Sequence, residues 1–463
     1  MTIYKKLVLF LGLFLCLPAC GKDFPADKPE KSNLPESNTQ VKAISPHNRV
    51  LYEINVRNYS AEGNFKGVEN DLPRLKELGV DILWLMPIHP IGEVNRNGTL
   101  GSPYAVKDYK AVNPDFGTLD DLRSLVSAAH QADMEIWIDW VANHTAWDHP
   151  WATDHPDYYA EKEGKRPYSP ENWLDVIQLD FDNEAMCEEM IDAMKYWVEE
   201  ADIDGFRCDA VTYVPVSFWE KAIPEINRVR KLTWLAESDD AAYMEVFDLD
   251  YAWKFSHQLN RFGKNGDVSS LIQACEDLYT DSNYTKKSRI VFLTNHDFNA
   301  YDGSANDRYG RWLQPLTVLA FTIYDMPLIY NGQEVGMGQR MELFNTSKVQ
   351  WSPVNAPVHA LIRNLTRLKR TQPALEGGAN RGKLIRQPVD NDQVYAYTRK
   401  KGNHEVVVFL NFSDQAATIR LSDSTVAGSY TDFLTNEKKE LTPASSLTLE
   451  PNGYAIFVKD SES

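Results

Sequence analysis

Four short stretches carry carboxylates or imidazoles at the ends of apolar runs: Asp139-Trp140-Val141-Ala142-Asn143-His144, Gly205-Phe206-Arg207-Cys208-Asp209, Leu235-Ala236-Glu237 and Leu293-Thr294-Asn295-His296-Asp297. Arg207 and Asp209 are two apart in an extended run, so their side chains share a face. A guanidinium beside a carboxylate favours its ionised form, as a nucleophile requires. Glu237 follows the apolar run 232–236, where partial burial raises a carboxyl pKa and retains a proton to donate. One ionised and one protonated carboxyl across a bond is the equipment of glycoside hydrolysis, with an oxocarbenium-like transition state. Asp297 supplies a third acid, able to grip sugar hydroxyls as positive charge develops on the ring. Each stretch alone is commonplace. An Arg-x-Asp on a strand is more often a structural ion pair, and a His-Asp is usually a loop hydrogen bond. The information lies in their order and placement together.

Those acids need a frame that brings separate strands to one rim. From Val50 onward, apolar runs alternate with helical patterns. Strands are expected at 50–56, 80–85, 135–141, 205–208, 232–236, 246–249, 290–294 and 328–330. Between them, Asp71 to Leu78 places Leu72, Leu75 and Leu78 on one face, with Gly79 as a cap. Thr118 can cap a helix with Asp120 and Asp121 in its first turn. Asn183 opens another helix, with Cys187, Met190, Met194 and Trp197 in one stripe. Repeated β-α units imply a parallel sheet, and eight of them an α/β fold of the closed (β/α)8 TIM-barrel type, whose chemistry sits at the C-terminal strand ends.

The rhythm breaks twice. Residues 144–183 are long, irregular and rich in Trp, Tyr, His and Pro, an insertion subdomain after strand three that is too long for a plain connector. Trp147, Trp151 and Trp173 within it serve either as sugar platforms or as its own packing. After about Glu376 helices give way to short strands, expected at 394–397, 405–412, 417–421, 447–449 and 454–458, which read as a C-terminal antiparallel β-sandwich over 376–463. The barrel then spans 46–143 and 184–375. Gly377 to Lys383 has phosphate-loop spacing, but Leu384 stands where Ser or Thr should follow and no helix comes after it, so it reads as a turn.

At the N-terminus, Lys5 and Lys6 precede the apolar run Leu7 to Leu17 and then Pro18-Ala19-Cys20. This has the three parts of a secretory signal over residues 1–20. Its end resembles a bacterial lipobox, which implies lipidation of Cys20; an ordinary signal peptide with a spare cysteine is the alternative. Gly21 favours outer-membrane sorting. Residues 21–45 are polar and Pro-rich, composition suited to a flexible tether. Cys187, Cys208 and Cys275 are odd in number and widely spaced, and are expected as buried thiols.

A formal net charge of −18 is unsuited to nucleic acid phosphates or anionic lipid. The expected partner is a neutral polymer, and membrane contact is expected through the N-terminal lipid alone. A monomer is expected.

Taken in order, the four stretches resemble the four motifs of glycoside hydrolase family 13, the α-amylase family, over nearly all of the mature chain. Trp84-Leu85-Met86-Pro87-Ile88-His89-Pro90, Gly101-Ser102-Pro103-Tyr104 and Gly332-Gln333-Glu334 add to the likeness. The resemblance implies a retaining α-glycosidase acting on α-1,4-linked glucans. In it, Asp209 is the nucleophile, Glu237 the acid/base and Asp297 the transition-state stabiliser. Arg207 holds Asp209, His144 and His296 bind hydroxyls, and Tyr104 stacks beneath the sugar. Retention implies working carboxyls roughly 5 Å apart. A neopullulanase- or cyclomaltodextrinase-like hydrolase, a glucanotransferase, and a catalytically dead glucan-binding relative are the competing readings; the last loses triad residues that this chain keeps.

The chemistry requires no cofactor. For structural calcium, Asn143 matches a ligand of calcium-dependent relatives. The family's Leu-Pro-Asp-Leu-Asn stretch, however, is Val176-Ile177-Gln178-Leu179-Asp180 here, with Gln178 in place of a ligand Asp. A backbone carbonyl could still serve, so calcium stays open at this point. The family's Lys-His pair after the nucleophile is replaced by Thr212-Tyr213.

Overall fold

The apolar runs pair side by side in parallel and close into a ring. The computed structural model describes residues 43–280, 287–421 and 425–459. The first barrel strands are β1 (Leu51–Ile54), β2 (Ile82–Leu85) and β3 (Glu135–Trp140). Next, β4 (His144–Ala146) and β5 (Val176–Gln178) form an antiparallel pair in the excursion. The barrel resumes with β6 (Gly205–Cys208), β7 (Thr233–Ala236), β8 (Leu249–Tyr251), β9 (Ser288–Val291) and β10 (Met326–Tyr330). Closure runs β1-β10-β9-β8-β7-β6-β3-β2. The expected signal peptide, Cys20 and nearly all of the expected tether lie outside the described residues.

Alternation along each strand decides what fills the ring. Leu51, Trp84, Trp137, Leu235, Tyr251 and Phe292 form one buried cluster inside it. Their neighbours Leu83, Ile136, Phe206 and Ala236 face outward into the larger core shared with the helices. Gly205 opens β6 because nothing larger fits: a Cβ there would lie 2.6 Å from the Thr233 carbonyl oxygen and 2.7 Å from the Trp137 ring.

Helix boundaries follow local signals. Leu72–Leu78 ends at Gly79, whose φ of 93° is the left-handed cap that glycine adopts freely. Leu119–Gln131 starts with a reciprocal capping box between Thr118 and Asp121. Glu184–Ala201 is capped by the Asn183 side chain, and Met190, Met194 and Trp197 are buried along it.

Several strand bounds shift from those expected, three of them for visible local reasons or by two or more residues. β1 stops at Ile54 because Asn55 donates its N–H to the Asn331 side chain, and Val56–Tyr59 coils into a helical turn. β8, the sixth strand of the barrel by sequence, begins at Leu249, since the helical turn Ala241–Met244, capped by Asp240, extends through the Phe247 N–H to Tyr243 carbonyl bond. β9 lies two residues earlier than expected, at 288–291.

The C-terminal region is antiparallel. β11 (Lys383–Arg386), β12 (Val394–Lys401), β13 (His404–Asn411), β14 (Ala417–Arg420), β15 (Gly428–Asp432), β16 (Lys438–Leu441), β17 (Ser446–Leu449) and β18 (Tyr454–Lys459) form a sheet ordered β11-β12-β13-β18-β15-β16 and a β14-β17 pair. A separate apolar cluster, including Val407, Phe409, Ile419 and Phe457, fills this region, while Tyr395, Tyr397, Val406 and Val408 join the barrel's own core. β11, β15 and β16 were not expected as strands. β11 and β16 carry Lys and Arg on exposed positions at the two ends of the sheet, so they show little apolar alternation.

Cys187, Cys208 and Cys275 are free and buried, as expected. No helix among the described residues is long and apolar enough to cross a membrane.

Candidate active site

The C-terminal ends of the strands deliver the acids to one rim. Asp209 follows β6, and its N–H continues the ladder to the Trp140 carbonyl at 2.9 Å. Glu237 follows β7, with its N–H 3.0 Å from the Cys208 carbonyl. Asp297 follows β9 and directly precedes the helical turn Phe298–Asp302. All three line one cavity of about 610 Å³, together with Tyr104, His144 and His296. The acids differ in exposure: the Asp209 and Glu237 side chains are 13% and 15% exposed, and Asp297 is 35% exposed.

Arg207 is the hub beneath them. It is fully buried, and in β6 it is the strand-register partner of Asp139 in β3. Nη1 donates to both Asp139 oxygens, at 2.9 and 3.1 Å, and to Asp209 Oδ1 at 2.9 Å. Nη2 lies 2.8 Å from Glu237 Oε2, an ionic contact outside hydrogen-bond alignment. Nε donates to the Tyr251 hydroxyl at 3.1 Å, and the Trp84 ring lies 5.0 Å from the guanidinium. One cation therefore touches the nucleophile candidate, the acid/base candidate and a third, buried carboxylate.

Ala210 completes the link. Its φ of 43° is left-handed, a costly conformation for alanine, and it aims the Ala210 N–H at Glu237 Oε2, 2.8 Å away.

The electrostatics divide the acids. Burial pushes the Glu237 carboxyl up to about 7; Arg207 opposes this, and Asp209 and Asp297 reinforce it. Burial also raises Asp209, to about 6, against the pull of Arg207. The expectation that Arg207 beside Asp209 favours its ionised form is thus modified: burial outweighs the ion pair, and the guanidinium is shared among three acids.

The imidazoles are set in opposite states. Burial disfavours the charged form of His296, but Asp297 and Glu53 outweigh it and raise the ring to about 9. Its Nδ1 is bonded to the buried Glu53 and its Nε2 lies 2.8 Å from the Tyr104 hydroxyl. Burial lowers His144 to about 4, so it is neutral near pH 7. The Tyr104 ring stacks on His296 with centroids 5.3 Å apart, and its hydroxyl also donates to Asp139.

Sequence reasoning named these residues but not all their partners. Asp139, Glu53 and Tyr251 hold the machinery from within the barrel, and Asp175, Tyr301 and Trp253 line the cavity. Alternation along β1 and β3 points Glu53 and Asp139 inward, a signal the sequence carries, whereas Tyr251 lies beyond the strand expected at 246–249. Of the three tryptophans, Trp173 lines the cavity and packs on His144 and Tyr213, while Trp147 and Trp151 pack against the core. Asn143 lies at the root of the excursion, its Oδ1 accepting from Gln178 Nε2 at 2.7 Å. Among the described residues no group of three or more His, Cys, Asp or Glu is arranged to hold a metal ion.

A closed parallel barrel with a carboxylate cleft on its C-terminal rim, backed by antiparallel sheets, is the class that fold and site define. Comparison with known proteins narrows it. The family model "Alpha amylase, catalytic domain" matches residues 36–178 and 174–232, and "Maltogenic Amylase, C-terminal domain" matches 387–456. The chain belongs to the α-amylase family. It is similar to the crystal structure of an alpha-amylase from Lactobacillus plantarum, at 30% identity and a TM-score of 0.79, covering 89% of this chain and 99% of that one. It is also similar to the noncanonic maltogenic alpha-amylase AmyB from Thermotoga neapolitana, at 27% identity and a TM-score of 0.80, with the same coverage. Alpha-amylase MalA of Haloarcula japonica is 27% identical over 89% of this chain, which spans 62% of that protein's length.

Proposed function

We propose that this protein is a retaining hydrolase of α-1,4-linked glucans. The observation that carries this reading is the single guanidinium of Arg207 contacting both Asp209 and Glu237 at the wall of one cavity. An Asp209 oxygen attacks the anomeric carbon as the bond to the leaving glucosyl oxygen breaks, and Glu237 gives that oxygen its proton. Glu237, now ionised, takes a proton from water. The water oxygen attacks the same carbon and releases Asp209. Asp297 and protonated His296 bind the hydroxyls of the ring that carries the transient positive charge. Asp209→Asn should abolish release of reducing ends from soluble starch while the variant stays folded by circular dichroism. Equal rates for variant and wild type would end this reading.

A second reading favours short or cyclic maltodextrins, or transfer to a sugar hydroxyl in place of water. It draws on the match of residues 387–456 to the maltogenic amylase C-terminal model. Products from maltoheptaose, pullulan and cyclodextrins separate the two: cyclodextrin opening faster than starch cleavage favours the second.

The reading extends to location. The acylated form is anchored at Cys20 in the outer membrane, and the enzyme works as a monomer. Incorporation of labelled fatty acid, lost in Cys20→Ser, tests the anchor, and light scattering of the leaderless protein tests the monomer.

A further inference from the structure

The root of the excursion is held by an unusual centre. Gln178 Nε2 donates to Asn143 Oδ1 at 2.7 Å, to the Asn143 carbonyl at 3.1 Å and to the Leu179 carbonyl at 3.2 Å. Three oxygens thus converge on one nitrogen, at a site where Asn143 is fully buried and Gln178 is 8% exposed. The orientation of this amide is forced, because backbone carbonyls can only accept. The atom facing them must be the NH2 group. Asn143 then has to present its oxygen to Gln178, which turns its Nδ2 toward His144 Nδ1, 3.1 Å away. His144 Nδ1 must accept, so the ring proton resides on Nε2.

This donor set does not fit a cation. A divalent ion needs the same oxygens that the amide already occupies, and the amide hydrogens would face it with like charge. We propose that the Gln178 side-chain amide takes the place of a structural calcium ion, clamping the excursion to the barrel and, through Asn143, positioning His144 in its Nε2–H tautomer. Gln178 is a positioning residue. It sits at the end of β5, in register with His144 of β4, so the clamp and the sugar ligand share one ladder. The protein accordingly folds and works without calcium.

The test uses the soluble enzyme from residue 21 onward, with Tm and steady-state kinetics on a chromogenic maltooligosaccharide. Wild-type Tm and kcat/KM are expected to be the same after chelator treatment and after calcium is restored. Gln178→Leu, which strips this donor from Asn143 Oδ1 and the Leu179 carbonyl and leaves the Asn143 carbonyl with the Leu179 N–H at 3.1 Å, is expected to melt lower. Assayed well below that Tm, it should lose about tenfold in kcat/KM as the His144 tautomer is released. Gln178→Asp puts a carboxylate among those oxygens. It should melt low without metal and recover both Tm and kcat/KM with calcium but not with magnesium, which demands near-ideal octahedral coordination at shorter distances. A wild-type Tm that falls on chelation and returns with calcium overturns the proposal. So does Gln178→Leu behaving as wild type, or Gln178→Asp gaining nothing from calcium. The kinetic arm rests on His144 as a substrate ligand, whereas the Tm arms stand whichever glucan is cleaved.

Discussion

Asp139 and Arg207 are both fully buried, and one nitrogen of Arg207 donates to both oxygens of Asp139. Asp139 is not among the residues lining the active-site cavity, yet it supplies the anion that makes a buried guanidinium tolerable beneath the reacting groups. Its Oδ2 also accepts from Trp84 Nε1 at 3.1 Å and from the Tyr104 hydroxyl at 3.2 Å.

Removing Asp139 leaves the buried Arg207 charge to Asp209 and Glu237 alone, whose carboxyl pKa values burial raises. Asp139→Ala is expected to lower stability by about 3–5 kcal/mol. Urea unfolding of both proteins measures it. A loss below about 1 kcal/mol would mean that Asp209 and Glu237 alone satisfy Arg207.

The pH dependence follows from the two carboxyls. Asp209 must be ionised, and burial has raised it to about 6; Glu237 must be protonated, and burial has raised it to about 7. The profile of kcat/KM should be a bell, with its acid limb near 6 and its alkaline limb near 7. Activity that stays level up to pH 9 would remove Glu237 from the acid role.

The same burial has a stability consequence. The folded-state pKa of Glu237 lies above its unfolded value, so the stability it contributes is present at low pH and is lost as pH rises through about 7. Glu237→Gln removes the cost of the ionised form. The Tm of this variant relative to wild type should therefore climb between about pH 5 and about pH 8. A difference that stays constant or narrows over that range contradicts the assignment.

His296 shows the opposite case. Its pKa is raised to about 9, with Asp297 and Glu53 overcoming burial. The stability contributed by the charged ring is complete below its unfolded value near 6.5 and is lost as pH rises through about 9. Glu53→Gln should bring the His296 titration down in an NMR experiment and destabilise the protein most at and below neutral pH. An unchanged titration would show that Asp297 alone holds the charge.

Much of this protein is legible one segment at a time. The alternation of apolar runs with helical stripes, the Gly79 cap, the Thr118 capping box and the order of the four acidic stretches all state their structural meaning locally, because backbone preference and side-chain periodicity act over a few residues. The edge strands β11 and β16 escaped this reading, since their charged faces carry no apolar period. The sharing of Arg207 among Asp139, Asp209 and Glu237, the Glu53–His296 pair, and the meeting of Gln178 with Asn143 across 35 residues belong to tertiary structure alone. Register and barrel closure decide which distant groups compete for one cation or one amide. Burial then decides how strongly each is felt, so the Asp209 carboxyl, which a neighbouring guanidinium alone would keep ionised, is one of three claimants on the same charge.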